Sequence, residues 1–389
     1  MEKIFAIFGL IIFVVGAYIF SENKKSIDWK SVSIAFVGQI LLAFLMIKTP
    51  LWKVLEILAS GFQWFINQSS EGINFVFGGL ETNGFVFFIN SLLPIVFVSA
   101  VLGILFHYGI LGKLISVIGR FVARVLRIDT LVAVNGISNI FLGQTESLFV
   151  TKSYLPNANN NVIFACCVSG MSSIAMSVLG LYVGLGADMT WLLVSLPLTV
   201  LSVFVMTQIL MPTQYSEELI EVEADKGSNV IETMMNYATA GFKGVIGITV
   251  ALLVFLSLVF MANNLLGLIS PTLTLQKVIG VIFYPLSLLM GVPMSELGLV
   301  SELLATKLIT NESVAFGMAN FNMLSKSTKA MLTVAIAGFA NLSSIGILMG
   351  GFSGIAPNKV KDVAAMGIKI VIVSTIVNIM SATVIALFV

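Results

Sequence analysis

Two carboxylates, Glu146 and Glu312, interrupt segments that are otherwise strongly apolar, 131–156 and 296–325. A charged side chain at the centre of a membrane helix costs roughly 2.5–3.5 kcal/mol on insertion scales, so each carboxylate needs a partner. Their neighbours are polar: Gln144 and Thr145 precede Glu146, and Asn311 precedes Glu312. Amides, hydroxyls and carboxylates together suit a neutral, hydroxyl-rich solute. Each segment is too short to cross a bilayer twice as ordinary helices but can enter and return on one side. The tip of such a re-entrant hairpin carries unpaired N–H and C=O groups, tolerated at membrane depth only under protein, water or ligand. The tips are therefore the expected binding surfaces; the competing reading places each Glu nearer the interface, merely hydrated.

Each hairpin is followed by a span whose middle is also broken. Ser169-Gly170-Met171-Ser172-Ser173-Ile174 and Gly338-Phe339-Ala340-Asn341-Leu342-Ser343-Ser344-Ile345 place glycine and small polar residues where a spanning helix would be apolar. Ser in a membrane helix often only bonds back to the preceding turn, but Asn341 is less easily dismissed. Phe339 has two readings, a stack on a flat ring or an ordinary helix contact. Ser172 lies 26 residues after Glu146, and Ser343 lies 31 after Glu312. The two halves thus read as repeats. Counting crossings, the span at 162–187 runs outward and that at 328–350 inward, so the repeats are inverted, a common plan of secondary transporters.

The elements that must position these residues follow from composition. The chain is 58% hydrophobic and only 10% charged, with a mean hydropathy of +1.05, against about 25% charged in soluble domains. An all-α integral membrane protein is expected, with about eight spans at 4–20, 31–47, 85–106, 162–187, 190–212, 244–268, 328–350 and 366–389. The first run ends on bulky Ile19 and Phe20 with no small-residue cleavage site, and reads as a retained span. Segments 51–66 and 112–128 read as interfacial helices. The first has Trp52, Leu55, Leu58, Phe62 and Phe65 on one stripe; the second sets Arg120, Arg124 and Arg127 against Leu114, Ile115, Ile118 and Phe121.

The expected organisation is a scaffold of spans and interfacial helices over 1–130, then a first repeat over 131–212 with hairpin 131–156, broken span 162–187 and span 190–212. An acidic cytoplasmic linker follows over 213–243, carrying Glu217, Glu218, Glu221, Glu223 and Asp225. A span and interfacial helix occupy 244–295, and the second repeat, with the last span, 296–389. Lys and Arg in the connections divide eleven to four between the two sides, which puts both termini outside the cytoplasm. The net charge of +1, without a basic tract, excludes a nucleic-acid partner. Adjacent Cys166 and Cys167 read as packing residues. His107, the single histidine, sits at a span end with no carboxylate nearby, which argues against a hydrolase.

At this point the residues resemble the bacterial concentrative nucleoside transporters. The resemblance rests on Gly143-Gln144-Thr145-Glu146, on Ala305-Thr306-Lys307 before Asn311-Glu312, on the stretch from Gly338 to Ile345, and on Glu71-Gly72-Ile73-Asn74-Phe75-Val76-Phe77-Gly78-Gly79. It covers nearly the whole chain in order. It implies a multi-pass protein of the bacterial inner membrane, a homotrimer of eight-span protomers, and uptake of nucleosides such as uridine, cytidine and adenosine. The implied mechanism is cation symport in which a transport domain moves against a scaffold like an elevator. Gln144, Thr145, Glu146 and Val178 would face the nucleobase, Glu312, Asn341 and Ser344 the ribose, with Phe339 lining the site. No cofactor is implied beyond the coupling ion. Sodium, favoured over a proton, would sit among Asn139, Leu142, Ser173 and Ile174, Leu142 and Ile174 giving backbone carbonyls. A proton carried by Glu146 or Glu312 is the alternative, and a channel or intramembrane enzyme ranks lower. The sequence departs from the family pattern at two places: Ser313 stands where Phe is usual, and the first hairpin reads Glu146-Ser147-Leu148 where many members have a Pro.

Overall fold

The computed structural model describes residues 1–80, 86–216, 220–222 and 226–389, and among these it is built from helices without a strand. Glu217, Glu218, Glu223 and Asp225 of the expected linker, and the first residue of the span expected at 85–106, lie outside the described residues. In chain order the helices are α1 (Glu2–Ile19), α2 (Trp29–Lys48), α3 (Leu51–Asn67), α4 (Ser70–Phe77), α5 (Pro94–His107) and α6 (Ile110–Leu126). Then come α7 (Thr130–Phe141), α8 (Glu146–Phe149), α9 (Asn160–Ser172), α10 (Leu179–Gly184), α11 (Met189–Leu210) and α12 (Val230–Gly267). The chain closes with α13 (Leu275–Leu289), α14 (Leu297–Ile309), α15 (Glu312–Met318), α16 (Lys326–Ala337), α17 (Ser343–Ile355) and α18 (Val360–Ala386).

Seven helical stretches are long and apolar enough to cross a membrane: 2–19, 29–48, 88–107, 160–184, 189–210, 230–267 and 357–386. The eighth expected span, 328–350, consists of α16 and α17. Gly338 is extended (φ −77°, ψ 156°), so neither piece reaches spanning length. The core is made by α9, α11, α16 and α18. Every residue from Val162 to Ser172 is buried, as is the second half of α18 from Val377. Such all-round burial within an apolar chain marks helices surrounded by other helices rather than by lipid.

One boundary differs from the sequence reading. The helix expected at 244 starts at Val230, inside the segment read as linker. Asn229 Oδ1 accepts from Glu232 N (2.9 Å) while Glu232 Oε2 accepts from Ser228 N (2.6 Å), a capping box in all but one position. The charges of Glu232 and Lys243 hid this start. On α3 only Ala59 and Ile66 are buried, and Ile57 is 70% exposed. On α6 Ile115 is buried, whereas Leu114 and Phe121 stay exposed beside Arg120, Arg124 and Arg127. Both helices are one-sided, as lipid-facing amphipathic helices are.

Candidate functional site

Two helical hairpins and two broken helices converge on one cavity. In the first hairpin α7 is capped by Asp129, whose Oδ1 accepts from Leu131 N (2.8 Å), and it ends where Leu142 turns extended (φ −113°, ψ 159°). Gly143 to Thr145 make the turn into α8, which Glu146 opens. A Cβ at Gly143 would lie 2.4 Å from Glu146 Oε2, so a larger residue there would displace that carboxylate. In the second hairpin α14 ends at Ile309, and Asn311 caps α15 through Oδ1 to Val314 N (3.0 Å), which sets Glu312 at the first position of that helix.

The broken spans cross at their breaks. After α9 the chain runs extended from Ser173 to Ala175, then turns at Met176–Val178 into α10. After α16 it is extended at Gly338 before α17. The main chains meet there: Phe339 N donates to Ser173 O (3.3 Å), and Asn378 Nδ2 of α18 donates to Ser172 O (2.7 Å). A Cβ on Gly338 would stand 2.0 Å from Ser172 O, so only glycine permits the crossing. Carbonyls left over at the ends of buried helices must find donors, and these breaks are where they find them.

All eight expected solute-binding residues, Gln144, Thr145, Glu146, Val178, Glu312, Phe339, Asn341 and Ser344, line this one cavity of about 290 Å³. That is near the low end of the roughly 300–1,000 Å³ usual for small-molecule sites. Glu312 is 7% exposed and held from both sides: Tyr182 Oη donates to Oε1 (3.2 Å) and Asn341 Nδ2 to Oε2 (3.3 Å). Asn341 is fixed in turn, because its Oδ1 accepts from Ser343 Oγ (2.7 Å) and Ser344 N (2.9 Å). Ser344 Oγ donates to Phe339 O (2.6 Å). Glu146 is exposed and opens into the cavity. Gln144 Oε1 is buried without a protein partner. Buried polar atoms are nearly always satisfied, so an orphan in a cavity wall is a position for a ligand's donor.

Of the four expected cation ligands, Asn139 and Leu142 belong to the first hairpin and Ser173 and Ile174 to the break after α9. Leu142 reaches the cavity, while Asn139, Ser173 and Ile174 are buried beyond it. Asn139 Nδ2 donates to Asn135 O (2.9 Å) and Ser169 Oγ (3.1 Å), leaving Asn139 Oδ1 without a partner, and Ser173 Oγ has none either. Neutral oxygens at helix ends are the donor set that suits a small hard cation. Among the described residues no cluster of three His, Cys, Asp or Glu side chains exists that would suit a transition metal.

Tyr182 was not among the expected site residues. Its ring stacks on Phe316 with centroids 4.8 Å apart, and its hydroxyl serves Glu312. The available signal was a phenol inside a broken span, which must find a polar partner. Ser313, the departure noted above, also lines the cavity, as do Ser99 of α5 and Tyr237 of α12. Cys166 and Cys167 are free and buried, and His107 Nδ1 pairs with Thr233 Oγ1 (2.9 Å), tying α5 to α12.

Comparisons with known proteins converge on one family. Models of the Na+ dependent nucleoside transporter N-terminus and C-terminus match residues 8–80 and 191–386, and a nucleoside recognition (gate) model matches 88–189. The nucleoside permease NupC of Helicobacter pylori is 31% identical over 100% of this chain and 98% of its own. CNTnw in an inward-facing substrate-bound state superposes with a TM-score of 0.92 at 32% identity, covering 100% of this chain and 98% of that one. A doubly substituted CNTnw in an outward-facing state gives a TM-score of 0.93, also at 32% identity, covering 100% and 99%. The chain therefore belongs to the concentrative nucleoside transporter family and is a membrane transporter of nucleosides rather than an enzyme.

Proposed function

We propose that the protein takes up nucleosides by symport with sodium, with the ribose on Glu312, Asn341 and Ser344 and the nucleobase against Gln144, Thr145, Glu146 and Val178. The arrangement around Glu312 carries this reading. Each carboxylate oxygen accepts one protein donor, from Tyr182 or Asn341, and retains lone pairs on its cavity side. Two vicinal hydroxyls fit that remaining capacity, and charge-assisted bonds of this kind are about twice as strong as neutral ones. Phe339, half-buried in the wall, offers its ring to the solute. The orphan oxygens of Asn139 and Ser173 support sodium at the first break, with the carbonyls of Leu142 and Ile174 completing the set.

Alternating access follows an elevator in this proposal. The hairpins and broken spans form the mobile body, and α5 and α12 form the wall it moves against, lined at the cavity by Gly241, Gly244 and Gly247. A wall of small residues presents little relief to obstruct sliding. The inward-facing and outward-facing forms known for CNTnw support such a cycle. The exposed apolar surfaces of α3 and α12, including Ile57 and Leu253, fit lipid and neighbouring copies in a homotrimer of the bacterial inner membrane, with both termini outside. Uptake of labelled uridine with sodium replaced by choline at fixed pH tests the coupling. Loss of uptake supports sodium; unchanged uptake rejects it in favour of a proton carried by Glu146 or Glu312.

A further inference from the structure

Lys307 is the one lysine or arginine buried among the described residues, at 2% exposure. Its Nζ donates to Ala335 O (2.8 Å) and to Asn378 Oδ1 (2.7 Å), and Asn378 Nδ2 passes the link on to Ser172 O (2.7 Å). The ammonium therefore bridges the second hairpin, both broken spans and α18. Ala335 O needs such a donor. Its helical partner would be the N–H of residue 339, but Phe339 N donates across the crossing to Ser173 O.

The place of Lys307 in its repeat matches that of Asn139 in the other. Asn139 stands two residues before the end of α7 and touches α9 within its last turn, at Ser169; Lys307 stands two residues before the end of α14 and touches α16 within its last turn, at Ala335. In the first repeat the side chain is a neutral amide, with unpartnered oxygens on Asn139 and Ser173. In the second the chain brings its own positive charge. We infer that Lys307 is a tethered cation, holding by a covalently attached ammonium the position that a bound ion fills in the first repeat. In that role it is a positioning residue: through Ala335 and Asn378 it clamps hairpin to broken span five residues before Glu312, fixing the hairpin that presents the carboxylate. Negative carbonyl ends at a buried helix C-terminus favour a cation there. The comparison between repeats rests on the proposed cation role of Asn139 and Ser173, whereas the demand for a charge at 307 is testable without it.

The experiment compares Lys307→Met, which keeps length without charge, with Lys307→Ala, which leaves a space. Both are expected to reduce uridine uptake about tenfold or more, because unpaired polar groups remain buried. Adding ethylammonium should raise the melting temperature and uridine binding of Lys307→Ala, leave the native protein unchanged, and do so where ethanol at equal concentration does not. Native uptake by Lys307→Met, equal rescue by ethanol, or no rescue by ethylammonium would overturn the inference. If Lys307→Ala is not recovered folded, Lys307→Arg is set against Lys307→Met, and uptake no higher with the charge retained would also overturn it. Sodium-independent uptake by the native protein would instead remove the ion reading of the first repeat.

Discussion

Replacing Glu312 by glutamine changes charge and acceptor count with little change in size, and the geometry determines how the new amide must sit. Asn341 cannot turn to suit it, since its Oδ1 is engaged by Ser343 and Ser344, so its Nδ2 continues to point at position 312. The glutamine oxygen must therefore face Asn341 and its NH2 must face Tyr182, whose hydroxyl can rotate to accept. On the proposed reading, one of the two oxygens offered to the ribose becomes a donor, and the other loses its charge. A hydrogen bond to a charged group contributes about 1.5–3 kcal/mol and a neutral one about 1, so the combined loss is about 2–4 kcal/mol. At 1.4 kcal/mol per decade this weakens uridine binding by about 30- to 1,000-fold. Folding should survive, because a neutral amide is easier to bury than a carboxylate. The assay is equilibrium binding of labelled uridine to detergent-solubilised protein in sodium chloride, with a melting curve on the same sample. An affinity within about threefold of native, which is under 1 kcal/mol, would remove Glu312 from the ribose site.

Tyr182→Phe retains the stack on Phe316 and removes one of the two donors that hold Glu312, so uridine binding should weaken by about tenfold and the melting temperature should fall, as for the loss of one charge-assisted bond. Gly338→Ala places a methyl 2.0 Å from Ser172 O and must push the broken spans apart. A cost of at least about 1–3 kcal/mol is expected for such overpacking, read as a lowered melting temperature together with lost uptake. Gly346→Ala, with open space around its Cβ position, should behave as native and serves as the control.

The sequence made the hairpins and breaks readable for one reason. Polar residues in the middle of an apolar run have no cheap explanation, so Glu146, Glu312, Asn341 and the serine pairs stood out. Tyr182 did not, because a tyrosine in a span also suits the membrane interface, and only the fold shows its hydroxyl turned to Glu312. Lys307 was harder still. It entered only as the end of the Ala305-Thr306-Lys307 motif, and nothing local shows that Asn378, 71 residues later, meets it. The start of α12 was hidden by charges that face outward from a helix, a pattern resembling a loop until the cap at Asn229 is noticed.

The main-chain bond from Phe339 N to Ser173 O has a thermodynamic side. On the proposed reading it links a peptide beside the ribose to a residue that holds the ion, so each ligand settles a segment the other needs. Whatever factor the ion adds to nucleoside affinity, the nucleoside must return to ion affinity, since the two orders of binding end in the same complex. A carrier built in this way is most stable fully loaded or empty. Half-loaded forms, which would leak one gradient without the other, are the species that a single peptide hydrogen bond helps keep scarce.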